Sequence, residues 1–434
     1  MSQTVSEANF STAAFEAFLA ARREPDWLVQ RRRQAWASFE AMSSPSRREE
    51  EWMRTDIRMF HWDRFHLPVA PASGAAAPPA VLTHGVELGG RLASLNGHTL
   101  SSELAEEWTR QGVVFGSLDE GLATHGDLLR RNLFRAVDPT ADKFAALHAA
   151  VWSGGTFLYV PKGVRVTAPL HALTALVGGA TDLDHTLVIL EEGAEATLLA
   201  ETAGDDAPCL HCGAIELLVG PGARLRYVNL QNWGRGTWHF AHQKALVDRD
   251  ARLQWTIGAL GSRLAKVNQH VALVGQRAVA QVNGVMFTEG RQHLSYHTLQ
   301  HHQAEGCQSD LLYKGALQDE SRLVWRGMIK VDPGAQKTDG YQRNDNLMLS
   351  EAARADSIPG LEIEADDVRC THGSTAGRVD DAQIFYARCR GLTRKEAIRM
   401  IVAGFFQQVI DRITIESVRE ALGGAIGHRI REYE

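Results

Sequence analysis

A chain of 434 residues, 44% hydrophobic and 23% charged, is too long for one ordinary compact core and has the composition of a soluble globular protein. A net charge of −6 speaks against nucleic acid as the main partner, and five cysteines are too few and too odd in number for a disulfide framework. No apolar run approaches a bilayer span, and the start MSQTVSEANF has neither the basic residues nor the apolar core of a signal, so we read the protein as cytoplasmic, with no membrane association.

Residues 1–150 read as a mostly helical domain. Phe15, Phe18 and Leu19 share one helical face, and Pro25 restarts the chain before a second helical stretch over 26–42. Arg22–Arg23 and Arg31–Arg32–Arg33 read as solvated helix faces. The segment 67–79, LPVAPASGAAAPP, carries four prolines and reads as a linker. Beyond it the pattern is mixed, with helical spacing at 101–110 and 142–152.

From 157 to about 363 alternating β-formers dominate, broken by Gly, Asp and Pro. A degenerate repeat is visible: GAEATLLAE at 193, GARLRYVNL at 222 and DARLQWTIG at 250, with looser copies at 275 and 320. One such unit cannot bury its apolar face alone, whereas stacked units bury a continuous core. No helix-length segment interrupts the region, which disfavours a doubly wound sheet. The pattern predicts a mainly β protein. A central parallel β-helix (a β-solenoid) spans 151–364 between amino-terminal and carboxy-terminal helical regions, the latter at 365–434. A β-sandwich is the competing architecture, since alternation does not reveal strand direction.

The run 361–392, LEIEADDVRCTHGSTAGRVDDAQIFYARCRGL, puts Asp366, Asp367, Cys370 and His372 within seven residues. In an extended segment Cys370 and His372 point the same way, so a thiolate and an imidazole could share one metal. Thr393 to Glu396 forms a capping box, followed by an apolar stripe of Ala397, Ile398, Ile401, Val402, Phe405 and Val409. The stripe predicts a helix that packs on its own domain or docks a partner. A short helix is expected over 416–422.

Cys209 and Cys212 form a C-x-x-C around His211, without the second pair that a zinc site needs, and read as structural thiols. His297, His301 and His302 cluster near Cys307 on what reads as strand and loop. There is no P-loop, no G-x-S-x-G, no H-E-x-x-H and no dinucleotide fingerprint, so no catalytic residue is assigned.

The run containing Cys370 and His372 resembles the carboxy-terminal signature of the SufB/SufD family of iron–sulfur cluster assembly scaffolds. The segments 155–170 (GTFLYVPKGVRVTAPL), 185–201 (HTLVILEEGAEATLLAE), 222–233 (GARLRYVNLQNW), 313–327 and 339–350 (DGYQRNDNLMLS) follow in the family's order. Within the family the chain looks most like SufD, because Gly373 follows His372 where SufB carries a carboxylate. LHCG at 210–213 matches the LHSA-type segment, but Cys209 does not clearly occupy the position of the SufB cysteine, so that sulfur-accepting role is not carried over.

The resemblance implies a right-handed β-helix and a non-catalytic scaffold subunit of a SufBCD complex that builds clusters and passes them to apo-proteins. It implies a SufB-like scaffold and a SufC-like ATPase as partners. It leaves a homodimer open for the isolated chain, and it implies no tightly bound cofactor, only a transient iron–sulfur cluster in the complex. His372 would be the cluster ligand and Cys370 the second candidate. Arg399 and Phe405 would mark the ATPase-docking helix. The alternative from the residues alone is a β-helix polysaccharide lyase or hydrolase using the acidic pairs Asp366–Asp367 and Asp380–Asp381.

Overall fold

The computed structural model describes residues 10–68, 76–83 and 85–430. The linker expected at 67–79 falls largely on 69–75, outside the described residues. Among the described residues no helix is long and apolar enough to cross a membrane.

Helices Thr12–Ala21 and Asp26–Ala41 pack with helix Lys143–Val151. Asp142 caps that last helix through the amide of Ala145. Sequence spacing suggested helix over 101–110, yet His98–Leu104 is a strand paired with Gly90–Leu95, and only Glu106–Arg110 is helical. The reason is the Asn96–Gly97 turn: both residues are left-handed, at φ 51° and 79°, the geometry that closes a two-residue hairpin.

From residue 156 to 378 the chain winds as a parallel β-solenoid of about eight turns. Each turn lays one strand in each of two facing sheets. One sheet ends at strand Arg369–Arg378, paired in parallel with Asp339–Met348. The other ends at Arg354–Ile363, paired in parallel with Arg322–Val331. Parallel pairing throughout the coil excludes the sandwich.

The repeat in the sequence is this stacking. Leu198, Tyr227, Trp255, Val282 and Leu311 are successive register partners, all buried between the sheets. Gly193, Gly222 and Asp250 open their copies because each stands two residues before its strand in left-handed backbone, at φ 70°, 66° and 58°. Arg277, Gly306 and Lys337 hold the same place before the next three strands of that sheet. The looser copy at 320 belongs instead to the opposite sheet, in strand Arg322–Val331. Both sheets alternate inward and outward residues alike, so alternation alone cannot tell them apart.

The solenoid is covered on both outer faces. The amino-terminal helices bury Phe15, Trp36 and Phe144 against Trp238, Phe240 and Leu264 of one sheet. The other sheet is covered by the carboxy-terminal helices Asp381–Cys389, Arg394–Ile410 and Glu416–Arg429. The capping box forms: Thr393 accepts from the amide of Glu396, whose carboxylate takes the amide of Thr393. The last helix runs well past the expected 422.

Candidate functional site

Strand Arg369–Arg378 is the last of its sheet, and Arg354–Ile363 the last of the other. No described strand pairs their outer edges, so a row of backbone amides and carbonyls is free at this end. Ser374 Oγ and Ser357 Oγ, 2.7 Å apart, tie the two sheets together there. Leu361 and Ile363 are exposed beside them.

Cys370 and His372 are register partners of Gly340 and Gln342. Gln342 is buried and donates to the carbonyl of Gly360, so Cys370 and His372 share the face of the last strand that looks along the solenoid interior. Their environments differ. Cys370 is half-buried beside Ile329 and Val331. Burial pushes its thiol up, partly offset by a hydrogen bond from the backbone of Gly340. His372 is exposed. Asp366 and Asp367 are exposed on the preceding turn. Among the described residues these four do not assemble three donor atoms within metal-sharing distance. An imidazole and a thiol fit the soft and borderline donors that iron–sulfur chemistry uses, but they are too few to close a cluster.

The partner-docking candidates lie on helix Arg394–Ile410. Its stripe packs on its own solenoid: Ala397, Ile398, Val402 and Val409, joined by Phe406, are buried in one cluster with Val285, Phe287, Leu312 and Ala316, and Ile401 and Phe405 are partly buried at its margin. Phe405 is only partly exposed, its ring lies 4.7 Å from Lys314 Nζ, and its carbonyl accepts from that ammonium at 2.9 Å. Arg399 is half-buried. The apolar groups that face solvent here are Phe385, Tyr386 and Met400, at 70%, 61% and 54% exposure. Sequence periodicity singled out the buried face because apolar spacing marks packing, not docking.

The histidine cluster separates. In strand His293–His302, His297 and His301 point outward to Glu51 and Asp332, each at 2.8 Å, while His302 points inward to Ser309 Oγ at 2.8 Å. Cys307 is buried with its thiol donating to the carbonyl of Gly275. Of the acidic pairs, Asp380 caps helix Asp381–Cys389 through the amide of Ala382. Cys209 and Cys212 are buried thiols, and burial raises both, the first to about 11.

A second cluster was not singled out from the sequence. Asp182, Asp184 and His211 bring their donor atoms within 4.8 Å of one another at the amino-terminal end of the solenoid. Its signal was available: an Asp-x-Asp one repeat length upstream of a histidine.

Two parallel sheets closed into a coil, flanked by helices and ending in an open strand edge with a cysteine–histidine pair, define a β-solenoid protein. Residues 174–405 match the family described as SUF system FeS cluster assembly, SufBD core domain, and residues 15–172 match the SufBD protein N-terminal region. The chain belongs to the SufBD family of iron–sulfur cluster assembly proteins. It is 26% identical to the iron–sulfur cluster assembly protein SufB of Bacillus subtilis, over 95% of this chain and 91% of that one. It is 33% identical to a SufBD family protein of Mycobacterium leprae, over 67% of this chain and 75% of that one. It is 30% identical to a SufBD family protein of Synechocystis, over 75% of this chain and 69% of that one.

Proposed function

We propose that this chain is a non-catalytic scaffold subunit of a SufBCD assembly complex, of the SufD kind, working in the cytoplasm. The observation that carries this reading is the uncapped end of the solenoid, where a ten-residue edge strand, paired on its inner side only, bears the exposed His372. Such an edge is a template for a strand of another chain. A SufB-like scaffold is the partner this reading assigns to it, and without that partner a second copy takes its place. A transient cluster forms at the seam, with His372 as ligand, Cys370 as the second candidate, and the remaining ligands from the partner. Gly373 after His372 supports the SufD assignment. A SufC-like ATPase supplies the hydrolysis and docks on the carboxy-terminal helices, where Arg399, Met400, Phe385 and Tyr386 reach solvent.

The test is coexpression with SufB-like and SufC-like subunits, comparing wild type with His372→Ala. Iron and acid-labile sulfide per complex should fall while assembly and Tm stay unchanged. Unchanged iron in an intact complex sinks the ligand assignment.

A further inference from the structure

Deep in the amino-terminal end of the solenoid, Asp182 is fully buried and neither carboxylate oxygen has a hydrogen-bond partner. The Leu183 backbone acts on it weakly, and the cationic side chain that faces it is His211, whose Nε2 lies 3.9 Å from Asp182 Oδ2. The same Nε2 is 2.7 Å from Asp184 Oδ1. Leaving a buried carboxylate unsatisfied is costly, and a fold tolerates it where something else completes the group.

We infer that Asp182, Asp184 and His211 bind one divalent first-row transition-metal ion. Zinc-like ions sit about 2.0–2.2 Å from imidazole nitrogen and carboxylate oxygen, which sets ligand atoms roughly 3 Å apart. The three donor atoms already lie within 4.8 Å of one another, so small side-chain rotations close the set. One imidazole with two carboxylates suits zinc, iron(II), manganese or cobalt better than magnesium or calcium, which take oxygen donors.

Two further features support a built site. With Nε2 turned to the metal, the Nδ1–H of His211 has an acceptor in place: Nδ1 of buried His239, 2.8 Å away. Metal-binding imidazoles are held in this way by their second nitrogen. Gly213 then provides the space. It is not in left-handed backbone, yet a Cβ there would lie 2.4 Å from His211 Cε1 and 3.0 Å from Asp184 Oδ1. Only a residue without a side chain leaves room for this ring and carboxylate. Beside them a cavity of about 40 Å³, lined in part by Thr186, Tyr227 and Gln243, is large enough for a water as a further ligand. Neither cysteine of the C-x-x-C belongs to the set; the histidine between them does.

This site is independent of the assembly role, and the experiment keeps the two apart. The full-length chain is stripped with chelator and dialysed against cobalt(II), then read by metal analysis and absorption. The expected result is one cobalt per chain with d–d bands and no thiolate charge-transfer band. Asp182→Asn and His211→Gln should each weaken binding at least about tenfold. Cys209→Ser, Cys212→Ser and His372→Ala should leave it unchanged. Should Asp182→Asn fail to fold, Gly213→Ala reads the same site by crowding the ring, and loss of cobalt supports the inference. It is overturned if the folded wild-type chain takes up no stoichiometric cobalt, or if these site variants bind it as tightly as wild type. A pocket that holds only water gives the first of these results, with a raised Tm for Asp182→Asn; cobalt held elsewhere on the chain gives the second.

Discussion

Cys370 and His302 both flank the bare Cα of Gly340: a Cβ built there would lie 3.3 Å from the Cys370 sulfur and 3.5 Å from His302 Nε2. The imidazole offers the thiol no positive charge. Burial holds its pKa down at about 4, and its Nε2 is engaged with Ser309 Oγ. Cys370 therefore rests as a thiol in the isolated chain, and a change at this end of the solenoid is needed to ionise it.

Thiol reactivity follows from this. At pH 8, timed iodoacetamide labelling mapped by mass spectrometry should modify exposed Cys389 first and Cys370 more slowly. Buried Cys209, Cys212 and Cys307 should react only on unfolding. Labelling of Cys370 as fast as Cys389 would contradict the account of its burial.

Phe405 and Phe406 should behave differently from Met400. Phe406 is 1% exposed, so Phe406→Asp buries an unpaired carboxylate and should cost roughly 3–5 kcal/mol in urea unfolding. Phe405→Asp should cost less, about 1–3 kcal/mol, through lost contact with Lys314. Met400→Asp and Arg399→Glu should leave stability within about 0.5–1 kcal/mol and weaken copurification of a SufC-like ATPase. Retained ATPase capture by both of the last two variants would move the docking surface elsewhere.

Lys266 gives a pH dependence. Its ammonium is buried without a hydrogen-bond partner, 5.6 Å from the Trp52 ring centre, with Glu51, Asp142 and Arg326 acting on it. Burial, partly offset by Glu51, lowers its pKa from 10.5 to about 7. Between those values the unfolded chain holds a proton that the folded chain does not. Stability contributed by this site therefore falls as pH drops from about 10.5 to about 7, on the order of 1 kcal/mol per unit, and levels off below. Lys266→Met should raise stability at pH 7.5 by more than at pH 10. Equal effects of the substitution at both pH values in urea unfolding would refute the assignment.

Arg32 ties helix Asp26–Ala41 to the end of helix Lys143–Val151. Fully buried, it donates to both carboxylate oxygens of Glu24 and to the carbonyls of Ala150 and Trp152, and it stacks on the Trp152 ring at 4.4 Å. Lysine cannot reproduce that planar fork. Arg32→Lys should cost about 2–4 kcal/mol, and Arg32→Ala about 3–5 because it strands Glu24. A loss under 1 kcal/mol for Arg32→Ala would show that the pair is dispensable.

What the sequence by itself determined is local or periodic. The turn residues before each strand and the alternating apolar positions specify a coil of strands, because left-handed turns and inward side chains recur wherever the chain passes the same place in the winding. The capping box at Thr393 and the shared face of Cys370 and His372 are equally local, set by neighbours a few residues away.

The tertiary structure decided what lies between distant segments. Helical spacing marks Phe405 as part of the packing stripe and Met400 as off it, but which surface covers the stripe, this chain's own sheet or a partner, is decided by the fold. Whether His297, His301 and His302 converge depends on strand parity, which sends the third inward. The meeting of Asp182, Asp184 and His211 rests on adjacent turns of the coil coming into register, and Gly213 leaves room for it. Such a meeting of residues almost thirty positions apart is set by how the turns stack, an arrangement that no one repeat contains.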